Sequence, residues 1–239
     1  MLKHTSIGNG PPIVLLPSML GSIEAEWGPY MQTIADMGYT VIAVDWPGHA
    51  QSEMTKSFTF RVLVEELDAL FKHLKTEPAV IFGYSMGGYA ALHYALKNPS
   101  RVLAIWMHGT KFYWSGEEAE NMAAELDIEW QQENKPERLE KLRAIHGENL
   151  DSLMPWLSKM VTNLPDTGLT PFELEDFKIP VLVSVGDRDE LVPVTEAYDL
   201  YDNLPNAQLA VLADTNHPLQ SARDHVFIPV LKDFLNRLD

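Results

Sequence analysis

The chain has 239 residues, of which 46% are hydrophobic, and this length and composition suit one domain with a sizeable core. Its 18 lysines and arginines are outnumbered by 34 aspartates and glutamates, and the formal charge of −16 repels phosphate backbones and anionic bilayers. We therefore expect neither nucleic acid nor a membrane surface as a partner. The absence of cysteine excludes disulfides, thiolate metal ligands and a cysteine nucleophile. Without a leader-like N-terminus or an apolar stretch approaching about 18 residues, we expect a cytoplasmic protein.

The first half of the chain alternates between strand-like and helix-like segments. Residues 1–12 are polar and contain turn-forming glycine and proline, so they leave little room for a strand hairpin. Short runs rich in β-branched residues predict strands, and amphipathic runs between them predict helices. The predicted strands are 13–16, 40–45, 79–83 and 102–107, and the predicted helices are 24–37, 61–74 and 86–97. Such alternation builds a parallel sheet with right-handed crossovers.

The pattern changes past the middle of the chain. Residues 111–170 contain no strand-like run and predict two to four amphipathic helices, with breaks at 131–136 and 164–170. The alternating pattern then resumes, with strands at 180–185 and 208–212 and helices at 195–204 and 224–237. The sequence therefore predicts an α/β core made of residues 1–110 and 171–239, interrupted by a helical insertion over 111–170.

One strand-to-helix turn carries a candidate nucleophile. The strand that ends near Gly83 is followed by a helix that begins after Ser85, so the serine lies on a sharp turn. A serine held this way has a strained backbone, and a β-carbon at Gly83 or Gly87 is expected to collide with it. The pentapeptide Gly-Tyr-Ser-Met-Gly at 83–87 resembles the nucleophile elbow of the α/β-hydrolase superfamily. The alternative is a glycine-rich turn with an incidental serine.

The resemblance implies a mostly parallel, doubly wound sheet, the α/β-hydrolase fold, with a short N-terminal hairpin region and an insertion over 111–170 that forms a helical cap above the active site. It also implies a catalytic triad in the chain order serine, acid, histidine. Asp189 ends a Gly-x-x-Asp pattern after a strand and His217 follows the last strand, so both belong to the sheet edge toward which Ser85 points. Four other histidines are expected away from this edge, at a terminus or within helices: His4, His73, His93 and His146.

The resemblance also assigns roles to two loops and to the pocket. By alignment, the backbone N–H groups of Met19 and Met86 form the oxyanion hole, although the usual His-Gly pair before the first of them is replaced here by Pro-Ser. The loop 45–52 resembles an Asp-x-x-Gly-x-x-x-Ser loop that is usually structural, which predicts no direct chemical role for His49. Five residues are candidates for the pocket lining, with core packing as the alternative for the two tryptophans: Ser18, Tyr84, His108, Trp114 and Trp156.

Together these features predict a serine hydrolase that acts on a small-molecule acyl substrate through an acyl-enzyme. A carboxylic ester is the expected substrate, with thioesters, amides and lactones next. The same fold and triad also serve carbon–carbon bond hydrolysis, perhydrolysis and acyl transfer, and some members of the superfamily bind ligands without catalysis. The sequence offers neither metal-ligand spacing near these residues nor a phosphate-loop lysine, so we expect no metal and no cofactor. It does not indicate an oligomeric state.

Overall fold

The fold is built around one sheet. The computed structural model describes residues 1–76 and 78–238. The strands in these residues are β1 (Lys3–Gly8), β2 (Pro12–Leu16), β3 (Thr40–Asp45), β4 (Ala79–Tyr84), β5 (Val102–His108), β6 (Val181–Gly186) and β7 (Ala207–Leu212). Their spatial order is β1-β3-β2-β4-β5-β6-β7, and all neighbours are parallel except β1 and β3. The predicted mostly parallel sheet is confirmed.

The residue pattern did not predict the first strand, and the short N-terminal hairpin that the resemblance implied is not formed within residues 1–16. β1 pairs antiparallel with β3, from Lys3 opposite Asp45 to Gly8 opposite Thr40, and it forms no hairpin with β2. Its side chains are exposed or half-buried because it lies at the edge of the sheet. An edge strand needs no continuous apolar run, so the polar composition of residues 1–12 concealed it.

Helices cover both faces of the sheet. They are α1 (Gly28–Ala35), α2 (Phe60–Leu74), α3 (Met86–Lys97), α4 (Gly116–Glu125), α5 (Ile128–Asn134), α6 (Pro136–His146), α7 (Leu150–Thr162), α8 (Leu164–Thr167), α9 (Pro171–Leu174), α10 (Val194–Asp202) and α11 (Asp224–Asn236). α2, α3 and α10 bury apolar side chains against one face, and α1 and α11 against the other. The central strands are thus buried on both faces, which explains their near-continuous apolar sequences. No helix among the described residues combines the length and apolarity needed to cross a membrane.

The helical insertion lies between β5 and β6. Residues 111–170, all of which are described, contain five α-helices instead of the two to four predicted. α5 runs through most of the expected break at 131–136, and α8 lies within the break expected at 164–170. A local cap accounts for α5, because the side chain of Asp127 accepts the Trp130 N–H at 2.8 Å. Leucines of α7 belong to the same buried cluster as the sheet, so the insertion packs directly on the core.

Candidate active site

Ser85 lies on the turn between β4 and α3 with a φ of 53° and a ψ of −117°. A positive φ is costly for a residue with a side chain, and residues held this way cluster at functional sites. Backbone hydrogen bonds fix the turn: the Ser85 N–H donates to the His108 carbonyl at 2.8 Å, and the Ser85 carbonyl accepts the Gly88 N–H at 3.0 Å. The pentapeptide therefore forms a strained strand-to-helix elbow.

The two glycines that flank Ser85 are required for a different steric reason from the one expected. A β-carbon on Gly83 would overlap the backbone of Gly87 and Gly88, where α3 begins. A β-carbon on Gly87 would overlap the Leu16 carbonyl oxygen and lie 2.7 Å from its carbon, at the end of β2. The closest clashes thus fall on α3 and on the end of β2. Gly87 is the point where the elbow contacts the end of β2.

A chain of hydrogen bonds links Ser85 to two residues that are distant in sequence. His217 Nε2 lies 3.2 Å from Ser85 Oγ, and its Nδ1 lies 2.9 Å from Asp189 Oδ2 and 3.0 Å from Oδ1. Asp189 follows β6 and His217 follows β7, and parallel strands bring their carboxyl ends to one edge of a sheet. The structure therefore brings together the three residues that the sequence analysis selected.

The Asp189 side chain is fully buried and surrounded by donors. Its Oδ1 accepts the N–H groups of Leu191 and Val192 at 2.9 and 2.8 Å. Burial alone would raise the pKa of this carboxyl, but His217 and the two backbone donors outweigh burial and hold the pKa below its ordinary value. An ionised Asp189 keeps the proton of the neutral ring on His217 Nδ1, which leaves Nε2 free to accept the Ser85 proton.

Two of the five candidates for the pocket lining lie outside the cavity and bond to other parts of the sheet edge, one to the loop that carries His217 and the other to a side chain of β6. The Tyr84 hydroxyl donates to the His217 carbonyl at 2.9 Å. The His108 side chain is buried, with its Nδ1 3.0 Å from Ser184 Oγ, and burial lowers its pKa to about 4. That ring is therefore neutral near pH 7, and it does not reach the cavity at Ser85.

Residues 17–21, called the β2 loop, connect the end of β2 to a π-helical turn (Ile23–Trp27) before α1. Side chains from other segments bond to both the carbonyl and the N–H of the peptide group between Pro17 and Ser18. The Trp46 indole N–H donates to the Pro17 carbonyl at 2.8 Å. The Ser18 N–H donates to Glu26 Oε2 at 2.9 Å, and the Ser18 hydroxyl donates to Oε1 of the same carboxyl.

Two buried histidines hold the backbone of Leu20 in the β2 loop. The Leu20 N–H donates to His49 Nε2 at 3.2 Å. The Leu20 carbonyl lies 3.1 Å from His146 Nε2, which carries the proton because Nδ1 of that ring accepts the Ala50 N–H at 3.0 Å. The expectation that His146 lies away from this sheet edge is therefore wrong, because α6 ends at His146 and places the ring on the β2 loop.

Two backbone donors remain unpaired beside Ser85. Within the part of the chain that the structure describes, the N–H groups of Met19 and Met86 have no acceptor. The other N–H groups of the β2 loop are bonded, those of Ser18 and Leu20 to side chains and that of Gly21 to the Ser18 carbonyl at 3.2 Å. Met86 is the first residue of α3, so its N–H lies at the positive end of that helix. Two such donors can bind a negatively charged oxygen.

Glu26 is a buried carboxyl without an ion-pair partner among the described residues. Burial raises its pKa from 4.5 to about 7, against the opposing effect of the hydrogen bonds from Ser18. A β-carbon on Gly21 would overlap this carboxyl, so the β2 loop packs tightly on it. Sequence analysis missed both Glu26 and His146 as parts of the site. No local signal marks them, since a glutamate and a histidine in helical segments are usually exposed.

A small cavity of about 40 Å³ lies against Ser85. Its walls are mostly apolar, and four of its residues are methionines. Of the remaining candidates for the lining, Trp114 forms part of the wall, whereas Ser18 and Trp156 lie outside it. The residues around the cavity are Met19, Phe60, Ser85, Met86, Tyr89, Lys111, Trp114, Met122, Met160, Val161, Leu164 and Leu191.

Lys111 is the cationic residue of this wall, and its charge is already paired. Its Nζ lies 2.7 Å from Glu118 Oε1 and 2.9 Å from Glu196 Oε2. It also lies 5.4 Å from the centre of the Trp114 ring. The lysine side chain is almost fully buried, so two carboxylates and one ammonium form a compact cluster at the edge of the cavity.

A parallel sheet with a strained turn after a central strand is typical of one class of hydrolases. The chain belongs to the α/β-hydrolase fold family, whose model matches residues 11–165. It is 26% identical over 245 residues to the human serine hydrolase BPHL, covering 98% of this chain and 82% of that protein. It is 24% identical over 264 residues to the 2-hydroxy-6-oxononadienedioate/2-hydroxy-6-oxononatrienedioate hydrolase 2 of Pseudomonas putida, covering 98% and 91%.

Solved structures show the same fold. A carboxylesterase structure from the thaumarchaeon Nitrososphaera gargenis superposes with a TM-score of 0.82 at 20% identity, covering 99% of this chain and 94% of that one. The family membership predicted from the elbow is confirmed, and the chain is a hydrolase of the α/β fold. Similar proteins include serine hydrolases, dienedioate hydrolases and carboxylesterases, so membership of the family does not by itself define the bond that this chain cleaves.

Proposed function

We propose that the protein is a serine hydrolase that cleaves a small carboxylic ester through an acyl-enzyme. The observation that carries this proposal is the hydrogen-bond chain from Asp189 through His217 to Ser85 Oγ, which ends at a cavity. His217 Nε2 takes the Ser85 proton as Oγ attacks the ester carbonyl, and Asp189 stabilises the imidazolium. His217 then protonates the leaving alcohol. Water activated by the same ring releases the acid and restores the serine.

The unpaired N–H groups of Met19 and Met86 are assigned to the oxyanion hole. Attack by Ser85 places a negative charge on the former carbonyl oxygen, and preorganised donors lower the energy of that state. Each donor of this kind contributes about 10²- to 10³-fold to kcat. Because both donors belong to the backbone, the side chains that hold the β2 loop offer the practical way to perturb one of them.

Residues 111–170 are assigned the role of a cap over a core made of 1–110 and 171–239. This segment supplies half of the residues around the cavity, including Trp114, Met122 and Met160. A cavity of about 40 Å³ has room for only a few water molecules, so an acyl chain must displace side chains of the wall. Methionine side chains are flexible and adapt readily to such a change.

The apolar wall favours an ester or thioester with an uncharged acyl group. The named substrate of the Pseudomonas putida relative is a dioate, which carries two carboxylates. Such a dianion would require cationic partners, and the cation of this cavity, Lys111, is already paired with Glu118 and Glu196. Carbon–carbon bond cleavage of dianionic substrates is therefore the weaker alternative for this chain.

The test is the intact mass of the protein after reaction with a fluorophosphonate probe. We expect one adduct on the wild type and on Ser57→Ala, an exposed serine on the adjacent surface, and none on Ser85→Ala. An esterase assay with p-nitrophenyl esters of increasing acyl length, alongside a dienedioate substrate, then locates the specificity. Folded wild-type protein that forms no adduct and hydrolyses no ester would refute the proposed function. Faster cleavage of the dienedioate than of any ester would refute the substrate class.

A further inference from the structure

The side chain of His146 joins the inserted helices to the loop that carries the Met19 N–H. We propose that His146 is a positioning residue for the oxyanion hole, acting through the Leu20 carbonyl, so that the insertion sets the geometry of one of the two oxyanion donors. This inference rests on the proposed function, because it assumes that the Met19 N–H binds the developing oxyanion. His146 itself touches no reacting atom and is not a catalytic residue.

The contacts of His146 fix its orientation. The imidazole is buried at the end of α6, where Nδ1 accepts the Ala50 N–H at 3.0 Å and Nε2 donates to the Leu20 carbonyl at 3.1 Å. One ring thus links two core loops, and each nitrogen has a single role. The ring also contacts that of His49 edge to face, with centroids 5.4 Å apart at 90°. A residue that only filled space there would not need two polar atoms.

The positions that His146 contacts are strained. Leu20 has a φ of 63° and Ala50 a φ of 43°, the left-handed region that residues with side chains rarely adopt. Such conformations persist only where surrounding contacts enforce them. For Leu20 the enforcing contacts are His49 at its N–H and His146 at its carbonyl. Release of either bond favours relaxation of Leu20.

Relaxation of Leu20 would reach the oxyanion donor directly. Trp46 and Glu26 hold the peptide group before Ser18. His49 and His146 hold the peptide groups on both sides of Leu20. The Met19 N–H lies between these two fixed points, and the carbonyl of its own peptide group, that of Ser18, accepts the Gly21 N–H at 3.2 Å. Its direction therefore depends on these contacts together. Loss of the hydrogen bond from His146 releases the Leu20 carbonyl. The expected effect is a misaligned donor, which lowers kcat and leaves KM nearly unchanged.

Two substitutions of His146 separate positioning from packing. His146→Asn places an amide oxygen where Nδ1 lay, so it can still accept the Ala50 N–H but cannot reach the Leu20 carbonyl. His146→Gln places an amide nitrogen near the position of Nε2, so it can still donate to Leu20 but loses the acceptor for Ala50. Each variant loses one buried hydrogen bond, and we expect similar decreases in Tm for the two.

The expected activities differ. With p-nitrophenyl butyrate, kcat of His146→Asn should fall about 10- to 100-fold at nearly constant KM, whereas that of His146→Gln should fall no more than about threefold. Amide hydrogen exchange provides a readout that does not depend on catalysis. The Leu20 and Ser18 N–H groups should exchange faster in His146→Asn than in His146→Gln. Equal losses of kcat in both variants, or equal exchange rates, would overturn the positioning role.

The experiments distinguish a failure of the proposed hydrolase function from a failure of the positioning role of His146. If wild-type protein forms no Ser85 adduct and hydrolyses no ester, the hydrolase proposal fails first. The exchange experiment then still decides whether His146 holds Leu20 in place, because it needs no turnover. If the wild type is active and the two variants are indistinguishable by both methods, the hydrolase proposal stands and the role of His146 is packing alone.

Discussion

The elbow around Ser85 and the β2 loop lie next to each other at one edge of the sheet, but they are held in different ways. The elbow is shaped by its neighbours in sequence, since Gly83 and Gly87 allow α3 to begin against β4 and β2. The β2 loop has no comparable motif. It is held by four side chains from three separate segments: Glu26 of the π-helical turn, Trp46 and His49 of the loop 45–52, and His146 of α6. A nucleophile turn can thus be encoded locally, whereas the neighbouring donor loop depends on the tertiary structure.

The largest effect is expected for the triad that acts on the serine of the elbow. Asp189→Asn should lower kcat about 10⁴-fold, because an amide cannot stabilise the imidazolium and favours the wrong tautomer of His217. Steady-state kinetics with p-nitrophenyl butyrate measures this. The control is Asp187→Asn, in the same loop, whose side chain accepts the Thr215 N–H at 3.1 Å and not that of His217. A loss of less than tenfold in Asp189→Asn would remove this residue from the triad.

The next prediction concerns the one glycine where the two regions touch. Gly87→Ala should destabilise the protein by about 4 kcal/mol, because the new β-carbon would overlap the Leu16 carbonyl at the end of β2. Urea unfolding monitored by circular dichroism gives the free energy. Gly116→Ala is the matched control, since a β-carbon there meets no atom within 4 Å, and it should be neutral or slightly stabilising. Similar losses in the two variants would contradict the steric explanation.

The pH dependence of the free energy of unfolding tests the raised pKa of Glu26, whose carboxyl bonds to the β2 loop. The pKa of Glu26 rises from 4.5 in the unfolded chain to about 7 in the folded protein. Between these values the folded protein retains a proton that the unfolded chain has lost, so this group's contribution to stability falls as the pH rises. Glu26→Gln does not titrate. Its stability relative to the wild type should increase by about 2 kcal/mol from about pH 5.5 to about pH 8.5.

Urea unfolding at several pH values measures this difference, and all other titrating groups are common to both proteins. Glu24→Gln, in the same π-helical turn but exposed, reports the effect of removing one surface carboxylate. A difference between Glu26→Gln and the wild type that stays constant across this pH range would contradict the raised pKa.

The smallest expected effect comes from removing one hydrogen bond to the β2 loop, compared with one to a strand of the sheet. Trp46 and Trp106 are both fully buried, and each indole N–H donates one hydrogen bond, to the Pro17 carbonyl at 2.8 Å and to Ser184 Oγ at 2.6 Å. Substitution of either by Phe should cost about 2 kcal/mol in the free energy of unfolding. Only Trp46→Phe should also lower kcat, by about fivefold, because it loosens the β2 loop. Equal kcat values would show that the loop tolerates the loss of this bond.

The fold could be predicted from sequence because a parallel sheet buried on both faces requires near-continuous apolar strands. β1 escaped prediction because an edge strand is not under that requirement. The insertion was predicted as helical, but its number of helices depends on local caps such as Asp127. That Ser85, Asp189 and His217 lie together could be predicted because the resemblance pointed to these residues and the ends of parallel strands meet at one edge of the sheet. The roles of Glu26 and His146 could not be predicted, because only tertiary structure shows that they are buried.

The pairing of Lys111 with Glu118 and Glu196 has a consequence for turnover. Ester hydrolysis converts a neutral substrate into a carboxylic acid, which ionises near neutral pH. The described wall of the cavity offers this anion no unpaired cation, and an uncompensated carboxylate in an apolar site is strongly disfavoured. The formal charge of −16 repels it further. In the proposed reaction, the acid product leaves readily, and added short-chain carboxylates should inhibit the enzyme only weakly.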